Sequence, residues 1–173
     1  MVWSEKDYIS VPAYADGTYK WQNEYNRHYL EVYQSSTANK GRVITWPIYN
    51  SANQLWSDFT LSDGYYRLMN NNSRKWLGFA DQQYGNGYCG FPDQYDWLNA
   101  SSQWWDYRKL WDQTDGRYYS AWVNKMGCQG NAYVDMLSVV DLSPVNTSLL
   151  HEATCSDQRY GSPTGCYWRR DGG

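Results

Sequence analysis

One short pattern occurs three times in this chain of 173 residues. It consists of Asp-Gly followed by an aromatic, strand-forming stretch, and its copies begin at Asp16, Asp63 and Asp115. Asp-Gly favours a tight turn, because glycine accepts a positive φ and aspartate can bond to its own backbone. Each copy therefore predicts the start of a β-strand. Self-similarity at such an interval is typical of folds built from repeated structural units.

A second pattern follows the first in the same order. Gln54-Leu55-Trp56 and Gln103-Trp104-Trp105 both have the form Gln-x-Trp. Near the end of the chain Cys166-Tyr167-Trp168 takes the matching place, with cysteine instead of glutamine, and Gln158-Arg159-Tyr160 is an alternative assignment. Two patterns that recur in phase predict three structural repeats.

Short β-prone runs lie between these patterns, for example at residues 42–46, 65–69 and 75–79. They are bounded by Asn, Ser and Gly, and no stretch keeps the 3.6-residue periodicity of a helix. Units of about four short strands, none able to bury its own apolar face, predict an all-β closed barrel. The predicted organisation is an N-terminal extension at 1–15 and one domain at 16–173, with repeats near 16–62, 63–114 and 115–168 and loop insertions around 80–100 and 136–165.

These repeats resemble the ricin-B-type (R-type) β-trefoil lectin domains. Residues 42–56 are similar to the second half of a family repeat, which ends in Asn-Gln-x-Trp, and residues 66–79 are similar to a repeat opening. The resemblance covers residues 16–168. It implies a β-trefoil that acts as a carbohydrate-binding module, recognising glycans through shallow sites, as in the targeting subunit of a larger secreted or toxin assembly.

The aromatic residues are biased toward rings that carry a polar group, with 11 Trp and 18 Tyr against 3 Phe. Such rings serve both β-sheet cores and recognition surfaces. In the family, the tryptophan of Gln-x-Trp packs in the core. We therefore expect Trp56 and Trp105 to be core residues and not sugar platforms.

The resemblance also implies where a sugar would bind in the first repeat. A family site combines an acid in one strand, an aromatic residue in the next, and the Asn and Gln of Asn-Gln-x-Trp. The first repeat supplies Glu31, Trp46, Asn53 and Gln54. Glutamate stands where aspartate is usual, and its extra methylene displaces the carboxylate. The alternative is a solvated glutamate beside a surface tryptophan.

The other two repeats are less complete. Gly78 takes the place of the acid in the second repeat and Ser102 replaces the asparagine, so we expect no site of the usual kind there. The third repeat keeps an acid at Asp135, but only His151 or Tyr160 could serve as its aromatic partner.

Other functions are disfavoured by charge and by missing motifs. The net charge is −3 without a basic run, so nucleic acid is not expected as a partner. No apolar stretch is long enough for a membrane span. Hydrolase, metalloprotease and phosphate-loop motifs are absent from the sequence, so we expect no enzyme activity, no cofactor and no metal site. The main alternative to a lectin is a protein-binding trefoil, either a protease inhibitor or a docking subunit, since aromatic anchors also form protein hot spots.

The four cysteines suggest an oxidising compartment. They occur at Cys89, Cys128, Cys155 and Cys166, an even number with irregular spacing and without Cys-x-x-Cys. This pattern predicts two disulfides in a secreted protein. Of the three connectivities, Cys155–Cys166 with Cys89–Cys128 is favoured, and four buried thiols are the alternative.

Overall fold

The structure is a computed structural model, which describes residues 15–78, 92–112, 116–125, 136–139, 148–153 and 167–172. Twelve strands lie in these ranges, four in each predicted repeat. The first repeat contains β1 (Gly17–Asn23), β2 (Tyr29–Val32), β3 (Gly41–Trp46) and β4 (Trp56–Thr60). The second contains β5 (Tyr66–Asn70), β6 (Trp76–Gly78), β7 (Asp93–Tyr95) and β8 (Trp105–Asp112). The third contains β9 (Arg117–Asn124), β10 (Met136–Val139), β11 (Ser148–Ala153) and β12 (Trp168–Gly172).

The first and fourth strands of the repeats form a barrel. β1 pairs with β4, β4 with β5, β5 with β8 and β8 with β9, while β12 pairs with β1. The second and third strands form hairpins, and β3 pairs with both β7 and β11, so the hairpins of the three repeats meet. This arrangement is a β-trefoil, and the predicted fold class is confirmed.

Tryptophans fill the centre of the barrel. Trp56, Trp105 and Trp168 each begin the fourth strand of a repeat, and all three are at most 1% exposed. Trp21 and Trp122 pack between them in edge-to-face contact, with ring centroids 4.8 Å apart. The expected core positions of Trp56 and Trp105 are thereby confirmed. Rings of this size dominate the apolar surface that such a fold buries.

Helical structure in the described residues is limited to single 3₁₀ turns at Tyr33–Ser35, Ala52–Gln54 and Ser101–Gln103. Two of these turns end at the glutamine of a Gln-x-Trp pattern, two positions before the core tryptophan. The same 3₁₀ turn before the core tryptophan thus recurs in the first and second repeats.

The Asp-Gly pairs adopt two different conformations. Gly64 and Gly116 have φ values of +81° and +68°, as the turn prediction requires. Gly17 is the first residue of β1, opposite Asp58, so this copy also starts a strand as predicted, but its glycine does not adopt the positive φ of the other two. A Cβ at Gly17 would collide with the Tyr19 ring, so the glycine leaves room for that side chain.

A polar layer lies just beyond the core tryptophans. Asp58, Tyr107 and Arg170 each lie two positions after the tryptophan that begins the fourth strand. The Arg170 guanidinium packs over the Tyr107 ring, 5.5 Å from its centroid, and its Nη2 is 3.3 Å from the Asp58 Oδ2. Three equivalent positions of the trefoil therefore carry an acid, a phenol and a cation.

Burial changes the acidity of Asp58. Its side chain is about 1% exposed, and this desolvation raises its pKa to about 7, although the Arg170 charge opposes the rise. Asp16 adds to the rise through charge repulsion. Asp58 is thus a buried carboxyl that gains a proton near neutral pH.

Candidate functional site

Glu31 lies in β2, between the buried side chains of Leu30 and Val32, and is only 3% exposed. Its Oε2 accepts a hydrogen bond of 2.9 Å from Gln54 Nε2, and the Tyr49 hydroxyl also bonds to it. Burial raises the pKa of Glu31, and these two hydrogen bonds oppose the rise. The acid predicted from the sequence is therefore an integrated part of the fold and not a solvated side chain.

Asn53 and Gln54 are completely buried. Gln54 donates to the Pro47 carbonyl at 2.9 Å, and its Oε1 accepts from the Tyr49 backbone N–H at 3.0 Å. Asn53 Nδ2 donates to the Val32 carbonyl at 2.9 Å. Both amides hold the segment after β3 against β2, beneath the surface. Whether a sugar reaches them directly stays a prediction.

Trp46 ends β3 and is half-buried. Its backbone pairs with Tyr29 of β2, so its ring lies at the side of the hairpin that carries Glu31. The segment that follows exposes Ile48 to 57% and Tyr49 to 40%. Trp46 thus borders an apolar surface next to the predicted acid.

The site contains a residue that the sequence reasoning missed, Tyr49. Its hydroxyl accepts a 2.9 Å hydrogen bond from Asn53 Nδ2 and also bonds to Glu31 and Ser35. The available signal was an aromatic residue between Trp46 and Asn53, in the loop that joins two predicted site residues. Tyr49 brings the acid, the asparagine and the exposed loop into one network.

Backbone strain accompanies this network. Gln34 and Ser35 both have φ values of +52°, in the left-handed region that non-glycine residues rarely occupy. The Ser35 carbonyl accepts a 2.9 Å hydrogen bond from Asn72 Nδ2, which ties the strained turn to the second repeat. Strain of this kind persists where surrounding contacts fix it, and it often marks functional sites.

The second repeat has the same framework without the acid. Gln103 Oε1 accepts from the Leu98 backbone N–H at 2.9 Å, and Gln103 Nε2 donates to the Asp96 carbonyl at 2.8 Å. Gly78 lies where Glu31 lies in the first repeat, and a Cβ there would be 2.8 Å from the Ser102 carbonyl oxygen. The packing excludes a carboxylate side chain at this position.

Several predicted features lie outside the described residues. They are Asp135, Tyr160, the four cysteines with their disulfides, and most of the aromatic loop insertion of the second repeat. Within the described part of the chain, no cluster of three potential metal-ligating side chains occurs. No helix in that part is both long and apolar enough to cross a bilayer.

Residues 9–89 match the model of the family described as ricin-type beta-trefoil lectin domain-like. They include the whole first repeat, with its Glu31–Tyr49–Asn53 network. This part of the chain is therefore similar to ricin-type β-trefoil lectin domains. No curated protein matches the sequence.

Solved structures share the trefoil. The designed three-fold symmetric protein ThreeFoil is 24% identical, with a TM-score of 0.69 over 90% of this chain and 98% of its own. The earthworm R-type lectin C-half, solved in complex with GalNAc, is 11% identical, with a TM-score of 0.58 over 90% and 98%. The cytolethal distending toxin from Actinobacillus actinomycetemcomitans is 16% identical, with a TM-score of 0.61 over 92% and 93%. At these identities the likeness concerns the fold.

Proposed function

We propose that this β-trefoil is a ricin-type lectin, which binds a glycan at the first repeat. The observation that carries the proposal is the half-buried Trp46 followed, three residues later, by the exposed Tyr49 on a loop that buried polar groups hold in place. A small number of fixed polar groups next to an aromatic surface is the usual composition of a small-ligand site. The family match, which includes this whole repeat, supports the same site.

The chemistry of a sugar suits such a surface. One face of a pyranose carries C–H bonds that pack on an aromatic ring, while its hydroxyls need hydrogen-bond partners. Trp46 is the proposed stacking ring, and Glu31, Asn53 and Gln54 stay the predicted polar groups of this site. Asp135 stays the predicted acid of a second site in the third repeat. The proposal includes secretion and two disulfides, and it assigns no catalytic step to the chain.

A single shallow site of this kind binds weakly. Competition with water and the ordering of the ligand leave a Kd on the order of 0.1–1 mM for one site. Useful retention on a glycan surface therefore needs several copies, through oligomers or through attachment to a larger assembly.

A protein-docking role is the second candidate. Tyr118, on β9 of the long β8–β9 hairpin, is 69% exposed, and Leu98 of the second repeat is 45% exposed. Exposed aromatic and aliphatic side chains serve as anchors at protein interfaces. The fold is shared with the cytolethal distending toxin, and the docking candidate includes a place in a larger toxin assembly.

A printed array of multivalent neutral and sialylated glycans tests these two candidates. The lectin proposal expects the wild-type domain to bind a subset of spots, and it expects free monosaccharide to compete. Trp46→Ala should lose this binding, whereas Tyr118→Ala, which removes an exposed ring elsewhere, should retain it. Binding that survives Trp46→Ala would move the site to another repeat. No bound glycan at all, together with a protein partner lost in Tyr118→Ala, would favour docking.

A further inference from the structure

The Glu31 carboxylate is poorly placed to contact a ligand. It is 3% exposed, and Gln54 and Tyr49 already bond to it. A sugar hydroxyl at this carboxylate would compete with the Tyr49 hydroxyl and the Gln54 amide for it. Tyr49 itself is 40% exposed, so the same network has one buried end and one exposed end.

The Tyr49 hydroxyl has all its hydrogen-bonding capacity engaged. A phenol has one O–H donor and two acceptor lone pairs. Here Asn53 Nδ2 donates to it at 2.9 Å, the Ser35 hydroxyl also bonds to it, and it can donate to Glu31. Displacing the phenol would remove one hydrogen bond from each of the buried Glu31 and Asn53 side chains, a cost that weak, shallow binding does not offset. The phenol therefore stays in place when a ligand binds.

The backbone of Tyr49 is held as well as its side chain. Its N–H donates to Gln54 Oε1 at 3.0 Å, and its carbonyl accepts from the Ser51 N–H at 3.0 Å. Fixing both the hydroxyl and the backbone leaves the ring little freedom to rotate. A ring that is already ordered loses little conformational entropy when a ligand stacks on it.

We infer that the Tyr49 ring is a second stacking surface of the proposed sugar site, and that Glu31 is a positioning residue which holds this ring by its hydroxyl. This inference rests on the proposed lectin function. The ligand it fits is a glycan that presents an apolar C–H face to Tyr49 and Trp46, and that takes its hydrogen bonds from groups other than the Glu31 carboxylate.

Four variants of the full chain separate the two roles of Glu31. Dose-response titrations on the glycan array give apparent affinities for wild type, Tyr49→Ala, Tyr49→Phe, Glu31→Ala and Glu31→Gln. Tyr49→Ala should weaken binding at least tenfold, because the ring is lost. Tyr49→Phe and Glu31→Ala should each weaken it about threefold to tenfold, because the ring stays but its anchor is lost.

Glu31→Gln provides the decisive result. Its amide oxygen can accept from Gln54 and its amide nitrogen can donate to the phenol, which can then donate to Asn53 Oδ1, 3.1 Å away. Binding should therefore stay within about twofold of wild type. In addition, Tyr49→Phe should have no further effect in a Glu31→Ala background, since both changes remove the same anchor. Leu98→Ala, at the corresponding place in the second repeat, is the control and should bind like wild type.

Failure of the inference differs from failure of the lectin proposal. If Glu31→Gln binds as weakly as Glu31→Ala, the carboxylate is a direct ligand and the inference is wrong, although the lectin proposal stands. The same holds if Tyr49→Ala binds like wild type. If correctly folded wild type binds no glycan on the array, both are wrong. Circular dichroism of each variant separates lost binding from lost folding.

Discussion

The first and second repeats share the hydrogen bonds that hold their backbone, but they differ in the polar side chains around them. These shared bonds form the framework of each repeat. Trp56 Nε1 donates to the Leu30 carbonyl at 3.0 Å, and Trp105 Nε1 donates to the Leu77 carbonyl at 3.1 Å. Likewise the Asn70 amide reaches the Asn53 carbonyl and the Asn124 amide reaches the Ser102 carbonyl, both at 2.9 Å. Each repeat is thus closed by equivalent bonds from the tryptophan and from the start of the next repeat.

The polar groups around this framework differ. The first repeat places Glu31 and Tyr49 where the second places Gly78 and Leu98. Gln54 bonds to the loop after β3 and also to Glu31, whereas Gln103 bonds to the equivalent loop of the second repeat, at Asp96 and Leu98. The glutamine of Gln-x-Trp therefore belongs to the fold, and the acid and the phenol are additions to it.

The tryptophans provide the largest expected effect. Trp56→Ala and Trp105→Ala should each lower the free energy of unfolding by about 3–5 kcal/mol, since each removes a buried ring and leaves a cavity. Urea denaturation followed by circular dichroism measures this loss. If the two repeats contribute equally to the core, the two losses should agree within about 1 kcal/mol. A much smaller loss for one variant would show that its repeat is less firmly packed.

The equivalent positions Asp58, Tyr107 and Arg170 predict an unusual pH dependence. Because the folded pKa of Asp58 is raised from 3.8 to about 7, the folded protein retains a proton that the unfolded chain has released. Stability should therefore fall as pH rises from 4 to 7, by up to about 4 kcal/mol from this group. Glu31, whose pKa burial also raises, acts in the same direction.

Thermal unfolding between pH 5 and pH 8 measures this effect. Asp58→Asn should flatten most of the dependence, while Tyr107→Phe, at the corresponding place in the second repeat, should retain it. His28 acts in the opposite direction below about pH 6.5, since burial lowers its pKa. A wild-type stability that rises from pH 5 to pH 8 would contradict the protonation of Asp58.

Substitution of the two glutamines should cause a smaller loss of stability, and it tests the contact between Gln54 and Glu31. Gln54→Ala and Gln103→Ala should each cost about 1–3 kcal/mol, because buried backbone groups of the loop lose their partners. Gln54→Ala should cost more, because it also removes a donor from the buried Glu31 carboxylate. Equal losses in urea denaturation would mean that this carboxylate contact adds little to stability.

Trp46 should show the smallest effect on stability. Its ring is half-buried, so Trp46→Ala should change the free energy of unfolding by about 1 kcal/mol while glycan binding is lost. Tyr95→Ala, at the end of β7 in the second repeat, is the matched control and should leave binding unchanged. Unfolding of Trp46→Ala would make this ring a core residue and would remove it from the proposed site.

Sequence patterns predicted the fold well because the same patterns recur in successive repeats. The two Gln-x-Trp patterns located the core residues Trp56 and Trp105, and Asp63-Gly64 located a true turn. The Gly17 conformation was mispredicted because it depends on the Tyr19 ring, which a turn pattern does not contain.

The site was predicted less completely, because its character depends on burial. The sequence places Glu31 and Asn53 in the same repeat but does not show that both are enclosed, nor that Tyr49 joins them. In the same way, the exclusion of a side chain at Gly78 comes from the Ser102 backbone of a distant turn. Contacts between residues far apart in sequence are invisible to a local pattern.

The pairing of β1 with β12 has a consequence for how the chain folds. Asn23 lies opposite Trp168 and Tyr19 opposite Gly172, so the barrel is closed by strands from opposite ends of the described chain. Contacts of such long sequence separation form slowly, because a large loop must be closed before they stabilise anything. During synthesis, one edge of β1 therefore stays unpaired until β12 has left the ribosome. The rate-limiting step of folding should thus be the pairing of β12 with β1.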